Sequence, residues 1–158
     1  MHTASPFRRQ GTRLQLSYGS HNETGITLSH RRKEGEQFAW GFTGDYHHSD
    51  GYIINRHNNK TADWLNAASL GNRLEWRPRH NLSFRLQQSL EKVKQGAFGY
   101  GTVNSEGNDV DSVSLNHPSH YERLIYDAGI QADYHTPRLW LRTQSSLQWL
   151  DDTYEVDQ

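Results

Sequence analysis

The sequence predicts an all-β protein: an antiparallel up-and-down meander of about seven strands belonging to a transmembrane β-barrel. Three observations predict it. Apolar and polar residues alternate with a period of two, which sends them to opposite faces of a strand. The long connections fall on one parity of the strand order only. Finally, the 158-residue chain is poor in core-forming side chains, 33% hydrophobic against 22% charged, yet it places the apolar residues it has in phase.

The alternation is clearest at Phe38, Trp40 and Phe42, which oppose Ala39, Gly41 and Thr43. Seven segments carry it. In residues 13–19, Leu14, Leu16 and Tyr18 oppose Arg13, Gln15 and Ser17; in 25–30, Ile26 and Leu28 oppose Gly25, Thr27 and Ser29. The third segment spans 38–47. The fourth, 68–77, sets Leu70, Leu74 and Trp76 against Arg73, Glu75 and Arg77, and the fifth, 82–91, sets Leu82, Phe84, Leu86 and Leu90 against Ser83, Arg85, Gln87 and Glu91. In the sixth, 124–134, Leu124, Tyr126, Ile130 and Tyr134 oppose Asp127, Gly129, Gln131 and Asp133. In the seventh, 139–149, Leu139, Leu141, Leu147 and Trp149 oppose Arg138, Arg142, Gln144 and Gln148. Asn72, Gln88, Thr143, Ser145 and Trp140 break the rule, within the latitude of a pattern that is weak per segment.

Connections of hairpin size, rich in turn formers, join strands one and two (19–22), two and three (31–37), four and five (78–81) and six and seven (136–137). The other two are long: 48–67 and 92–123, above the usual loop length. Every second connection is short, and the long ones lie on the opposite side. Outer-membrane barrels have short periplasmic turns and long extracellular loops, so parity assigns the sides. Trp76 and Tyr134 then fall near periplasmic ends, Tyr46 and Trp149 near extracellular ends, where aromatic girdles sit at the headgroups.

Composition narrows the class further. A barrel wall buries only its outer face in lipid and keeps a polar lumen, so its mean hydropathy is low and no run approaches the roughly 18 apolar residues of a membrane helix. The absence of cysteine excludes disulfides and thiolate metal sites, and a net charge of -1 excludes a strongly basic nucleic-acid binder. The competing architecture is a soluble β-sandwich that binds a ligand or carbohydrate through Trp64, Tyr100 and Trp140, the same alternation then facing a protein core. A sheet hydrolase ranks last, because no carboxylate pair is singled out by its setting.

Four motifs occur in order. Leu16-Ser17-Tyr18-Gly19-Ser20 ends the first strand, and Gly41-Phe42-Thr43-Gly44-Asp45-Tyr46 leads into Ser49-Asp50-Gly51-Tyr52. Asn72-Arg73-Leu74-Glu75-Trp76-Arg77-Pro78 precedes a short turn, and Leu147-Gln148-Trp149-Leu150-Asp151-Asp152-Thr153-Tyr154-Glu155-Val156-Asp157-Gln158 closes the series. In this order and spacing they resemble the first barrel strands of TonB-dependent outer-membrane receptors. The resemblance covers nearly the whole chain from about Thr12. It implies residues 1–11 as unstructured or as a remnant of the plug–barrel linker, and 12–158 as a partial barrel with outer loops at about 48–67 and 92–123.

The resemblance also implies a role: uptake of an iron–siderophore or similar metal complex across the bacterial outer membrane, without enzyme chemistry or a resident cofactor. The implied partners are outer-membrane lipid, a plug domain, the TonB energy-coupling protein and the ferric siderophore. Whole receptors of this type have 22 strands around a plug, and about seven strands without a plug are read here. Residues 1–10 lack the apolar core of a secretion signal, and Gln158 is not the terminal aromatic that such barrels carry. The chain is accordingly read as an internal piece that does not transport alone.

Candidate ligand contacts follow from the two faces and the loops. On the wet face Arg73, Arg77, Arg85 and Arg142 are read either as a lumen wall balanced by Glu75, Glu91, Asp127 and Asp133, or as holders of an anionic ligand or the plug. In the loops Tyr52, Trp64, Phe98, Tyr100 and Tyr121 are read either as packing or as rings that stack on a chelator. No metal site is assigned. His117 and His120, at i and i+3 around Pro118, are weak candidates. Asp109 and Asp111 match one end of a calcium loop without its glycine and closing glutamate, and the glycine-rich 96–101 segment has no helix after it to bind an anion.

Overall fold

The structure, a computed structural model, describes residues 5–97, 101–103, 105, 107 and 110–156. The strands in chain order are β1 (Gly11–Tyr18), β2 (Thr24–Glu34), β3 (Phe38–Ser49), the short β4 (Ile54–Asn55) and β5 (Lys60–Thr61), β6 (Leu65–Arg79), β7 (Leu82–Gly96), the short β8 (Thr102–Val103) and β9 (Val110–Val113), β10 (His120–His135) and β11 (Trp140–Glu155). The seven long strands form one antiparallel meander in the order β1-β2-β3-β6-β7-β10-β11. Among the described residues there is no helix. The fold is all-β, as expected, and the sheet is open: β1 and β11 are its two edges and do not pair with each other.

Register explains the alternation. One row across all seven strands reads Leu14, Leu28, Gly44, Leu70, Leu90, Tyr126 and Trp149; the adjacent row reads Arg13, Ser29, Thr43, Gly71, Ser89, Asp127 and Gln148. Cross-strand partners share a face and neighbours along a strand do not. The sheet therefore has one apolar and one wet face along its full width. Two rule-breakers on the apolar face satisfy each other: Asn72 Nδ2 donates to Gln88 Oε1 at 3.1 Å, and Gln88 Nε2 donates to the Tyr126 hydroxyl at 2.8 Å.

The turns are built as their residues require. His21 and Asn22 both have φ of 55°, and Glu23 N donates to Ser20 O at 3.1 Å, the two left-handed central residues of a type I′ hairpin turn. Thr136 Oγ1 accepts from Leu139 N at 3.0 Å to close the turn before β11. Turns at 35–37, 80–81 and 136–139 gather at what we term the short-turn end, and the 19–23 turn and both long loops at the long-loop end. A register shift between Trp76 and Arg79 surrounds Pro78, which has no N–H to give the ladder.

The strands extend beyond the alternating segments. β7 reaches Gly96 and β10 starts at His120, so the loops are 50–64 and 97–119, shorter than the expected 48–67 and 92–123, and Tyr121 and His120 are strand residues. Contrast fails there because Lys92, Lys94 and Glu122 continue the apolar face past Leu90 and Leu124, while Val93 and Tyr121 stand on the wet face.

The two loops combine into a second, four-stranded sheet, order β5-β4-β9-β8, in which β4 and β9 run parallel. Ala62, Val113 and Leu115 form its buried cluster, with Ile53 and Val110 against it. The Asn55 side chain, itself buried, donates to Leu115 O and accepts from Leu115 N, both at 3.0 Å. The Asp63 carboxylate accepts from Tyr52 N at 2.9 Å and Ile53 N at 2.8 Å. Gly96 is required by contact: a Cβ there would lie 1.8 Å from Ala62 O. Asn55→Ala should leave both Leu115 backbone groups unpaired and cost about 1–3 kcal/mol, read as faster amide exchange at Leu115 with β6 and β7 unchanged.

Candidate functional site

The wet face holds a trough of about 700 Å³, floored by small or uncharged side chains including Gly41, Thr43, Gly71, Gln87 and Gly129. The charges around it are segregated. Toward the short-turn end Arg31, Lys33, Arg73, Arg77, Arg85 and Arg142 face Glu75 and Asp133; toward the long-loop end Asp45, Glu91, Asp127 and Asp152 outnumber Arg13 and Arg123.

Glu75 is the centre of the cationic end. Its side chain is 3% exposed and meets three guanidinium groups, Arg73 Nη2 at 2.7 Å, Arg77 Nη2 at 3.4 Å and Arg85 Nε at 3.6 Å. Residues 73, 75 and 77 alternate onto one face of β6, and Arg85 is the cross-strand partner of Glu75 on β7. A carboxylate so buried needs paired charge to offset its lost hydration. A second chain of polar groups runs alongside: Arg85 Nη1 donates to Gln131 Oε1 at 3.1 Å, Gln131 Nε2 to Asp133 Oδ2 at 2.6 Å, and Arg142 Nε to Asp133 Oδ1 at 2.5 Å. Thus Arg73, Arg77, Arg85 and Arg142 all sit in ion pairs on the wet face.

The loop candidates are dispersed. Tyr52 is exposed and sets its ring edge-on to His21, centroids 5.0 Å apart. Trp64 is half-buried, and its carbonyl accepts from Gly96 N at 2.8 Å. Tyr121 lies on the wet face of β10 with its ring against Tyr154 at 6.1 Å and the Arg123 guanidinium 5.8 Å from its centroid. Phe98, Tyr100 and Asp109 lie outside the described residues. Trp140 does point to the wet face, with the Arg142 guanidinium 4.8 Å from its ring. It stands at the short-turn end, however, and Trp64 at the long-loop end. Fifteen strand positions, from His120 to His135, separate their levels, roughly 50 Å at strand rise. They do not share a platform.

The histidines do not converge either. His117 Nδ1 meets Pro118 O at 3.0 Å, and His120 Nδ1 lies 3.5 Å from Glu155 Oε2. Among the described residues no group of three potential ligands is suited to a metal ion.

Sequence reasoning overlooked two features. One is the central role of Glu75, for which the Arg-x-Glu-x-Arg spacing of residues 73–77 was the available signal. The other is that residues 5–7 pack against the wet face: Ser5 Oγ donates to Glu75 Oε2 at 2.8 Å, Pro6 is fully buried, and Arg77 lies 3.8 Å over the Phe7 ring. No family model matches the chain, and no curated protein matches it.

Beyond the apolar band, Glu122 accepts from Lys94 at 2.7 Å and Lys92 at 3.0 Å. Hydrogen bonds from Lys94 and Lys92 hold its carboxyl below the usual carboxylate range. A depressed folded value means that this contact supports the fold above the ordinary carboxylate range and is lost as pH falls through the depressed value. Carboxyl-detected NMR should therefore show Glu122 titrating below 4.5, and Lys94→Met should raise it. Glu75→Ala strands three guanidinium groups and should cost about 3–5 kcal/mol in urea unfolding. Arg142→Ala, at an exposed pair, should cost under about 1 kcal/mol.

Proposed function

We propose that this chain is a wall segment of a TonB-dependent outer-membrane receptor for an iron–siderophore or similar metal complex. In this reading the apolar face meets lipid and the wet face lines the lumen. The role is transport, with no enzymatic step. Lipid, a plug domain, the TonB energy-coupling protein and the ferric siderophore are its partners, and the segment does not transport alone.

The observation that carries the reading is the uncovered apolar face. Among the described residues no layer packs over it: Leu70 and Leu147 are each 62% exposed, and Leu14, Leu16, Ile26, Phe42 and Trp149 are exposed beside them. Burying one such side chain fully is worth about 1.5–3 kcal/mol, and contiguous patches of this extent mark membrane or protein contact. Phe38, Leu74, Trp76, Phe84, Leu86 and Ile130 outline a shallow recess of about 370 Å³ there, suited to acyl chains.

Geometry adds support. In the meander β1 and β11 run in the same direction, so joining them would need a parallel seam; closure with antiparallel seams needs further strands. The edges would otherwise leave unpaired backbone in lipid. Long loops on one side only, fused into one small sheet, suit an outer face that receives ligand.

The deciding experiment is extraction and folding. The chain is expected to need detergent or lipid to acquire its β-structure; a monomeric, cooperatively folded chain in plain buffer sinks the proposal. In bilayers, Leu86→Arg in the middle of the apolar run of β7 should cost about 2–4 kcal/mol, whereas Ser89→Arg on the wet face should be nearly neutral.

A further inference from the structure

In a sheet with almost no core of its own, one of the two largest fully buried side chains is Pro6, in the segment before β1. It sits over Gly41, where an added Cβ would come within 3.6 Å of Pro6 Cγ, and it lines the trough. Ser5 and Phe7 on either side are held by Glu75 and Arg77. The segment is folded back on itself by one turn, Arg8 N and Arg9 N both donating to Ser5 O, at 3.0 and 3.1 Å.

Its attachment differs from everything else on the wet face. Residues 5–10 belong to no strand, and among the described residues three side-chain contacts hold them in place of a ladder. From Arg8 onward the chain is exposed, and Gly11 at the start of β1 has a φ of +118°, where only glycine is at ease. Nothing lies within 4 Å of a Cβ built at Gly11, so its freedom serves the backbone path and not packing. A segment held by side chains alone, next to a permissive pivot, can leave as a unit without disturbing the sheet.

We infer that residues 5–7 form a releasable strap that closes the short-turn end of the wet-face trough, anchored on Glu75 and Arg77 and pivoting at Gly11. Seated, the strap fills the space above Gly41. Released, it opens the trough from that end and leaves the Glu75 cluster facing the vacated space. Whatever displaces the chain ahead of Gly11 thereby controls access to the trough. The inference concerns the wet face alone and holds whether the apolar face meets lipid or another surface.

The full chain has no cysteine, so introduced thiols report singly. In folded chain, Pro6→Cys should react with a bulky maleimide at least about tenfold more slowly than Arg9→Cys, an exposed reference on the same segment. Adding Ser5→Ala and Arg77→Ala should bring the two rates within about twofold. The same pair of substitutions should speed labelling of Thr43→Cys, on the trough floor beside Gly41. In the unaltered chain the Arg8 and Arg9 amides should be protected from exchange, and Arg77→Ala should remove that protection while β6 and β7 amides stay protected. Rapid labelling at position 6 together with unprotected Arg8 and Arg9 amides overturns the seated strap. Slow labelling that survives loss of Ser5 and Arg77 overturns the anchors, and an unchanged rate at position 43 overturns the closure.

Discussion

The structure depends on one constraint: an antiparallel ladder assigns side chains to faces by parity, and six consecutive ladders keep the same parity across seven strands. From Leu14 to Trp149 a single row stays apolar except for Gly44, and the row beside it stays polar or small from Arg13 to Gln148. A slip of one residue at any seam would turn every later strand inside out. Backbone pairing therefore does in this sheet what a hydrophobic core does in a globular domain. The buried apolar residues that cluster lie in the loop sheet and not beneath the seven strands.

The polar side is organised by charge rather than by packing. Glu75 gathers Arg73, Arg77 and Arg85, and Asp133 takes Arg142. Each of these carboxylates offsets cations that would otherwise repel across neighbouring strands 4.7–4.9 Å apart. The remaining excess of cations at the short-turn end and of carboxylates at the other gives the trough a field along the strands. At the long-loop end, aromatic residues take over, with Tyr121 against Tyr154 and Tyr52 against His21.

Much of this was legible in the sequence because parity is a local signal. Seven strands, their order and the short turns follow from alternation and turn residues. Even the breaches at Asn72 and Gln88 make sense, since they stand in one cross-strand row and bond each other. Strand ends were not legible, because the contrast is lost where Lys92, Lys94 and Glu122 make the apolar face polar and Val93 and Tyr121 stand on the wet one. Nor was the loop sheet: β4 and β5 have two residues each, too short for any period, and β4 pairs with β9 nearly sixty residues away. Of the site, the wet-face arginines were legible and their partners only as a set. That Glu75 serves three of them depends on the β6–β7 register. Seating of Pro6 depends on a contact with Gly41 that no spacing announces. His117 and His120, to which no metal site was assigned, take different partners, Pro118 O and the Glu155 carboxylate.

The register shift between Trp76 and Arg79 bears on how such a sheet changes over generations. Insertions or deletions of a single residue inside a long strand would exchange the two faces beyond that point, so length changes there are tolerated only in pairs. The six seams show one odd step among the described residues, and it lies beside Pro78, where the chain is already leaving the sheet. Odd changes in length can be absorbed there and in the loops. Descendants of this sequence should accordingly vary at the two ends of the sheet while the strands keep their even count.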